Sequence, residues 1–205
     1  MDTSLVPYPM PSGVKRLMPF QEYPFNGDGY AVAEVLRLRA KHGLTHAFET
    51  GTCYGSTTLF FAEHFEQVIT CEIHRPTFEI AAERLKDSQS VLNFLENSPD
   101  GIRHYGGRYL GLYFLDAHWG DVCPLLAELE AIAEMNNRPV LMIHDWKVPG
   151  RPDLGYDHFP DGRPFELSAI TNHLDAIYGE GGWEYHYNDK AEGAKRGILY
   201  VEPKV

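Results

Sequence analysis

Two stretches of this chain stay apolar almost without a break until an acid closes them. Residues 109–119 read YLGLYFLDAHW, and residues 138–146 read RPVLMIHDW. A strand with one wet face alternates apolar and polar side chains, whereas a run this uniform belongs to a strand covered on both faces. Such strands sit in parallel sheets, and each parallel connection needs a crossover, usually a helix. The chain supplies the crossovers. Helical spacing marks residues 30–42, 56–65, 76–88, 122–135 and 166–180. Gly43 follows the first as a C-cap, and Pro76 stands in the first turn of the third. Short β-prone runs at 45–50, 67–73 and 90–97 fall between them. Strand and helix alternate, so the expected class is α/β, a mostly parallel sheet with helices on both faces. Residues 183–189 and 196–203 read as two strands joined by the turn KAEGAK, an antiparallel hairpin at the sheet edge.

A length of 205 residues suits a single domain over 1–205 with a sizeable core. Residues 1–29 are rich in Pro, Gly and aromatics and read as an N-terminal arm. Residues 147–165, KVPGRPDLGYDHFPDGRPF, form a long loop after the strand that carries Asp145. Loops of that length inside a domain are usually functional or mobile, so this one is expected to hang over the mouth of that strand. Its candidate contacts are Lys147, Arg151, Tyr156 and His158, with Trp119 and Trp146 as walls. The turn KAEGAKRG at 190–197 reads as a solvated hairpin turn rather than a basic patch.

The charge balance narrows the partners. A formal net charge of −11 argues against a nucleic-acid binder, which would need a basic face. No run reaches the roughly 18 apolar residues of a membrane span. The N-terminus is broken by prolines and lacks the apolar core of a secretion signal. Cys53, Cys71 and Cys123 form no CxxC pair and read as reduced thiols of a cytoplasmic protein. The exposed arm and the hairpin edge leave a homodimer open.

Residues 48–58, FETGTCYGSTT, stand where a strand should become a helix. In an open α/β sheet, ligands bind outside the carboxyl ends of the strands. Gly51 and Gly55 would let the backbone turn tightly and approach a ligand, and Ser56 and Thr57 would cap the next helix. The stretch is neither the G-x-G-x-x-G fingerprint nor a phosphate-binding P-loop. It resembles motif I of the class I S-adenosylmethionine-dependent methyltransferases, E-x-G-x-x-x-G-x-[ST]. The likeness is to the metal-dependent O-methyltransferases of the catechol and macrolide-sugar types, which have a non-glycine in mid-loop, here Cys53. It covers roughly residues 30–203. It implies a Rossmann-like seven-stranded sheet in the order 3-2-1-4-5-7-6 and a cofactor, S-adenosylmethionine. It places that cofactor against Glu49, Gly51, Thr52, Tyr54, Gly55, Ser56, Glu72, Ile73, Asn97, Ser98 and Asp116. Glu72, about 20 residues past the loop, would accept from the ribose hydroxyls, and Asn97 and Ser98 would lie near the adenine.

A second cluster closes the two apolar strands: Asp116 and His118 on one, His144 and Asp145 on the next. Neighbouring strand ends lie roughly 5 Å apart, so these side chains can converge. The resemblance implies a divalent metal on Asp116, His144 and Asp145. A histidine at the first pair position departs from the usual acid and leaves Mg²⁺, Mn²⁺ and other transition ions open. Where similar enzymes read HWKD, this chain reads HWGD and lacks their lysine. Sugar-modifying relatives carry an acid two residues past the metal-binding one, and His118 stands there. His118 is therefore the candidate general base, beside Asp116. The implied activity is methyl transfer to a hydroxyl of a small molecule or sugar-like natural product. Two other readings stand beside it: a two-histidine, one-carboxylate iron site at Asp116, His118 and His144, and a non-catalytic module that binds the cofactor or a partner. A glycine turn can also serve packing alone, and strand-end His and Asp can simply bond each other.

Overall fold

The computed structural model describes residues 22–107, 110–118, 122–135 and 137–204. Most of the expected arm and Trp119 lie outside them. Among the described residues, seven strands form one sheet: β1 (His46–Thr50), β2 (Gln67–Glu72), β3 (Val91–Leu95), β4 (Gly111–Leu115), β5 (Val140–His144), β6 (Trp183–Tyr187) and β7 (Ile198–Pro203). Their order is β3-β2-β1-β4-β5-β7-β6, as the resemblance implies. The first five run parallel, β7 runs antiparallel to β5, and β6 pairs antiparallel with β7. Among the described residues, α1 (Gly29–His42) precedes β1, and five helices connect the strands: α2 (Ser56–His64), α3 (Arg75–Leu85), α4 (Ser98–Tyr105), α5 (Leu125–Ala133) and α6 (Thr171–Tyr178).

The uniform apolar runs are explained by burial on both sides. Alternation along β4 sends Leu112 and Phe114 to one core and Tyr113 and Leu115 to the other. In β5, Val140 and Met142 join the first core while Leu141 and Ile143 join the second. The first core is closed by α1 and α2. Here Phe25 meets the edges of Phe60, Phe61 and Phe114 at 5.4, 5.6 and 5.3 Å. Each such pair adds about 0.5–1.5 kcal/mol beyond area burial. The second core is closed by α4, α5 and α6 through Ile102, Leu129, Ile132, Leu174 and Ile177. Asp28 caps α1 by accepting from the Tyr30 and Ala31 N–H groups, and Gly43 ends it in the left-handed conformation, φ 61°.

One helix has no counterpart in the sequence pattern. The segment SPDGIRHY carries Pro99 and Gly101, which read as loop residues, yet it forms α4. Pro99 stands in the first turn, where its missing N–H costs nothing, and Asn97 caps the helix by accepting from the Asp100 N–H. A Cβ at position 101 would lie 2.3 Å from Cys71 Sγ, so the glycine is set by how closely α4 packs on β2. Helix six is also shorter than its pattern, with residues 167–169 forming a separate 3-10 turn. Among the described residues, no helix is long and apolar enough to cross a membrane.

Candidate active site

The carboxyl ends of β2, β1, β4 and β5 are neighbours in the sheet, so everything after them opens on one side. After β1 the chain turns at Gly51, φ 79°. A Cβ there would sit 2.8 Å from the Asp116 carbonyl oxygen, so only glycine lets the β1 loop meet the end of β4. The Gly51 and Thr52 N–H groups share the Cys71 carbonyl at 2.9 and 3.2 Å. Cys53 adopts φ 49°, unusual for a residue with a side chain, and its N–H donates to Glu72 Oε2 at 3.0 Å. The other Glu72 oxygen accepts from the His74 N–H at 2.8 Å. Each oxygen keeps a lone pair for a further donor.

Several residues expected to touch the cofactor hold the loop from beneath. Glu49 is 1% exposed and accepts from Thr58 Oγ1 at 2.5 Å and Thr70 Oγ1 at 2.8 Å. Burial pushes its carboxyl up to about 8, and the two hydroxyls offset only part of that. The Thr52 hydroxyl turns inward to Thr70 at 2.6 Å. Ser56 is buried, and its hydroxyl accepts from Arg84 at 3.1 Å while the same guanidinium donates to the Tyr54 carbonyl. The sequence gives no local sign of Arg84, which reaches the loop from the last turn of α3. Ile73 is the opposite case, an apolar side chain 67% exposed beside Glu72. Asn97 caps α4, and Ser98 is buried against Glu128 of α5.

Acids crowd this mouth. The Cys53 thiol is pushed up to about 12, first by burial and then by Asp116, Glu72 and Glu49. Carboxyl groups raise a thiol pKa because they oppose a second negative charge; the same field favours a positive ligand. Glu128, missed in the sequence, is buried behind Ser98 and Thr50, and burial pushes it up to about 7. Its Oε1 has no hydrogen-bond partner among the described residues, and Glu128 lines a cavity of about 10 Å³ together with His118 and His144. That is room for about one water molecule.

The four strand-end residues singled out in the sequence do come together. His144 Nδ1 lies 3.1 Å from Asp116 Oδ1 and 3.3 Å from Asp145 Oδ2. His118 Nε2 lies 2.6 Å from Asp145 Oδ2, and its Nδ1 is 3.9 Å from Asp116 Oδ1. Burial opposes charge on both imidazoles, but the carboxylates outweigh it and raise both, His144 well above its ordinary value. Asp145 is held below the usual carboxylate range, because His144 and His118 overcome its burial. Asp145 adopts φ 58° directly after β5, which swings its side chain back over the strand end. Two residues complete the cluster. Asp157 Oδ2 lies 2.9 Å from His118 Nε2, and Arg196 donates to Asp145 Oδ1 through Nε and to Asp157 Oδ1 through Nη2.

Among the described residues, two groups bring three ligand atoms within 4.8 Å of one another: Asp116, His144 and Asp145, and His118, Asp145 and Asp157. Asp116, His118 and His144, the triad of the iron reading, are not one of them. The loop corrects its own sequence reading. Lys147 pairs with Glu166, Arg151 pairs with Asp153, and Tyr156 packs tilted against His158, while the residue that reaches the site is Asp157. Trp146 is fully buried in the core and is no wall of the site. The 190–197 turn is not merely solvated, since Arg196 points from it into the cluster. The three cysteines form no disulfide.

Comparison with known proteins identifies the fold. No protein-family model matches the chain, and no curated protein sequence matches it. Solved structures do. The O-methyltransferase TomG from Streptomyces achromogenes, involved in tomaymycin synthesis and solved with S-adenosylmethionine, is 17% identical, with a TM-score of 0.59 over 86% of this chain and 81% of that one. An O-methyltransferase from Bacillus cereus in complex with S-adenosylhomocysteine is 18% identical, with a TM-score of 0.58 over 85% and 81%. The N-methyltransferase NodS from Bradyrhizobium japonicum is 11% identical, with a TM-score of 0.56 over 85% and 96%. The chain therefore has the Rossmann-like fold of class I methyltransferases. That fold hosts both O- and N-methylation, so the acceptor has to be argued from this chain's own side chains.

Proposed function

We propose that this protein is an S-adenosylmethionine-dependent methyltransferase that methylates a hydroxyl of a small molecule, with a divalent cation on Asp116, His144 and Asp145. The observation that carries the reading is the convergence of a glycine turn, an acid-lined mouth and the Asp/His cluster at the ends of four adjacent strands.

The residues present fit such a cofactor. S-adenosylmethionine supplies a methyl group on a sulfonium, which an oxygen nucleophile attacks in line. Glu72 and Asp116 lend the surroundings of Cys53 the negative field that a cationic group favours. Glu72 keeps lone pairs for ribose hydroxyls, and the exposed face of Ile73 suits a flat apolar ring. The donor set also fits a cation. Mixed imidazole and carboxylate ligands suit Mn²⁺ and later transition ions better than Ca²⁺. A divalent ion there raises the acidity of a bound hydroxyl.

His118 can take the acceptor's proton at Nε2 once Asp145 turns its carboxylate from that nitrogen to a cation. Asp145 and Asp157 flank that atom at 2.6 and 2.9 Å and stabilise the imidazolium that forms. Asp116, whose N–H is fixed to Thr50 Oγ1 at 3.1 Å, joins the cofactor loop to the cation ligands, and this keeps methyl donor and acceptor within one rigid frame. The acidic body of the protein, net −11, favours a small acceptor over a nucleic acid.

The test is transfer of a labelled methyl group from S-adenosylmethionine to a panel of small hydroxylated compounds. Transfer should stop in EDTA and return with Mn²⁺ or Mg²⁺, and His118→Ala should slow it about 10²–10⁴-fold. Full turnover in EDTA would remove the cation, and an unchanged rate in His118→Ala would remove the base. Tight S-adenosylhomocysteine binding without transfer to any compound would favour the non-catalytic reading.

A further inference from the structure

Arg196 sits at the centre of the cluster yet cannot ligate a cation, because a guanidinium has no lone pair to offer and stays charged. Its contacts divide the two aspartates in the same way. It takes Oδ1 of Asp145 and Oδ1 of Asp157. The Oδ2 atoms of both then face one point, now held by His118 Nε2 at 2.6 and 2.9 Å. A carboxylate free to rotate presents either oxygen; here the planar fork of the guanidinium decides for both.

The backbone around Arg196 serves the same arrangement. The Asp157 N–H donates to the Asp145 carbonyl at 2.9 Å, and the Gly155 N–H to the Lys195 carbonyl at 2.9 Å. The Gly197 N–H returns to the Gly155 carbonyl at 2.9 Å, and the Trp146 N–H reaches the Gly197 carbonyl at 2.8 Å. The long loop and the hairpin turn therefore dock on the end of β5 as one piece. At position 155 a Cβ would lie 2.6 Å from Arg196 Nη1, so the glycine there leaves the guanidinium its path.

We propose that Arg196 is a positioning residue of the cation centre and that it makes Asp157 a further carboxylate ligand beside Asp145. This rests on the cation reading above, extended from the strand ends to the loop. Ligand atoms of His118, Asp145 and Asp157 already lie within 4.8 Å of one another, and this group shares Asp145 with the strand-end group.

The experiment uses the full chain, stripped of metal by chelation and dialysis, as wild type, R196Q, R196K and D157N. Each is titrated with Mn²⁺ alone by calorimetry, the bound ion is read by electron paramagnetic resonance, and folding is checked by circular dichroism. R196Q and D157N should each lose about 10–100-fold in Mn²⁺ affinity, the usual effect of losing an orienting partner, and their spectra should change. R196K should not rescue, since a point charge cannot hold one oxygen on each of two carboxylates. Folded R196Q that binds Mn²⁺ as tightly as wild type, or more tightly, overturns the assignment and leaves Arg196 a mere counter-ion. Should R196Q fail to fold, D157N decides, and unchanged affinity there overturns it too. Wild-type protein that binds no Mn²⁺ sinks the cation reading and this assignment together; wild-type binding with unaltered variants sinks this assignment alone.

Discussion

A carboxyl group without water around it holds its proton, and Glu49 is such a group. The sequence marks it as the acid of the glycine turn, but not its protonation, which comes from α2 and β2 packing over it. With an ordinary value of 4.5 and a folded value of about 8, the folded protein keeps a proton that the unfolded chain has released. Between those two pH values the native state binds more protons, so stability falls as pH rises, at about 1.4 kcal/mol per unit at most. Below 4.5 the contribution is fully present, and above 8 it is gone. Glu49→Gln removes the titration. Thermal melts from pH 5 to 9 should show wild type losing stability faster than the variant, and parallel curves would contradict a protonated Glu49. Ile73 shows the converse limit of sequence reading. Its place beside Glu72 marks it, yet only the fold shows that it stays exposed.

The strands were legible because burial on both faces leaves an apolar run, and the acids after β4 and β5 were legible because they end those runs. Helix α4 was not, since Pro99 and Gly101 read as breakers when the sheet beneath them is invisible. Its glycine answers to Cys71 on β2, 30 residues earlier in a chain where 101 follows 71. That origin can be tested. Gly101→Ala forces a methyl against Cys71 Sγ and should cost about 1–3 kcal/mol, the usual range for overpacking. Cys71→Ala removes the obstructing sulfur, so the double variant should recover most of the loss in denaturant unfolding. Simple addition of the two single effects would show that the glycine answers to something else.

At the scale of the molecule, the cluster draws on four segments: the ends of β4 and β5, the 147–165 loop and the turn before β7. The first two could be read because each acid and histidine lies within a few residues of a strand end in an alternating fold. Asp157 and Arg196 could not. One is an acid among several in a Pro/Gly loop and the other a cation in a polar turn, and only tertiary docking pairs them. The glycine turn after β1 sits on the same rim, where Glu72 and Asp116 stand close enough to Cys53 to act on its thiol. That juxtaposition is the core of the account, and it concerns binding before it concerns chemistry. Calorimetric titration of the purified protein with S-adenosylhomocysteine, with Glu72→Gln alongside, tests it most directly. A saturable one-to-one heat is predicted for wild type, weakened roughly 10-fold or more in the variant by loss of a charged acceptor. A flat wild-type titration, or equal affinity in both proteins, would contradict it.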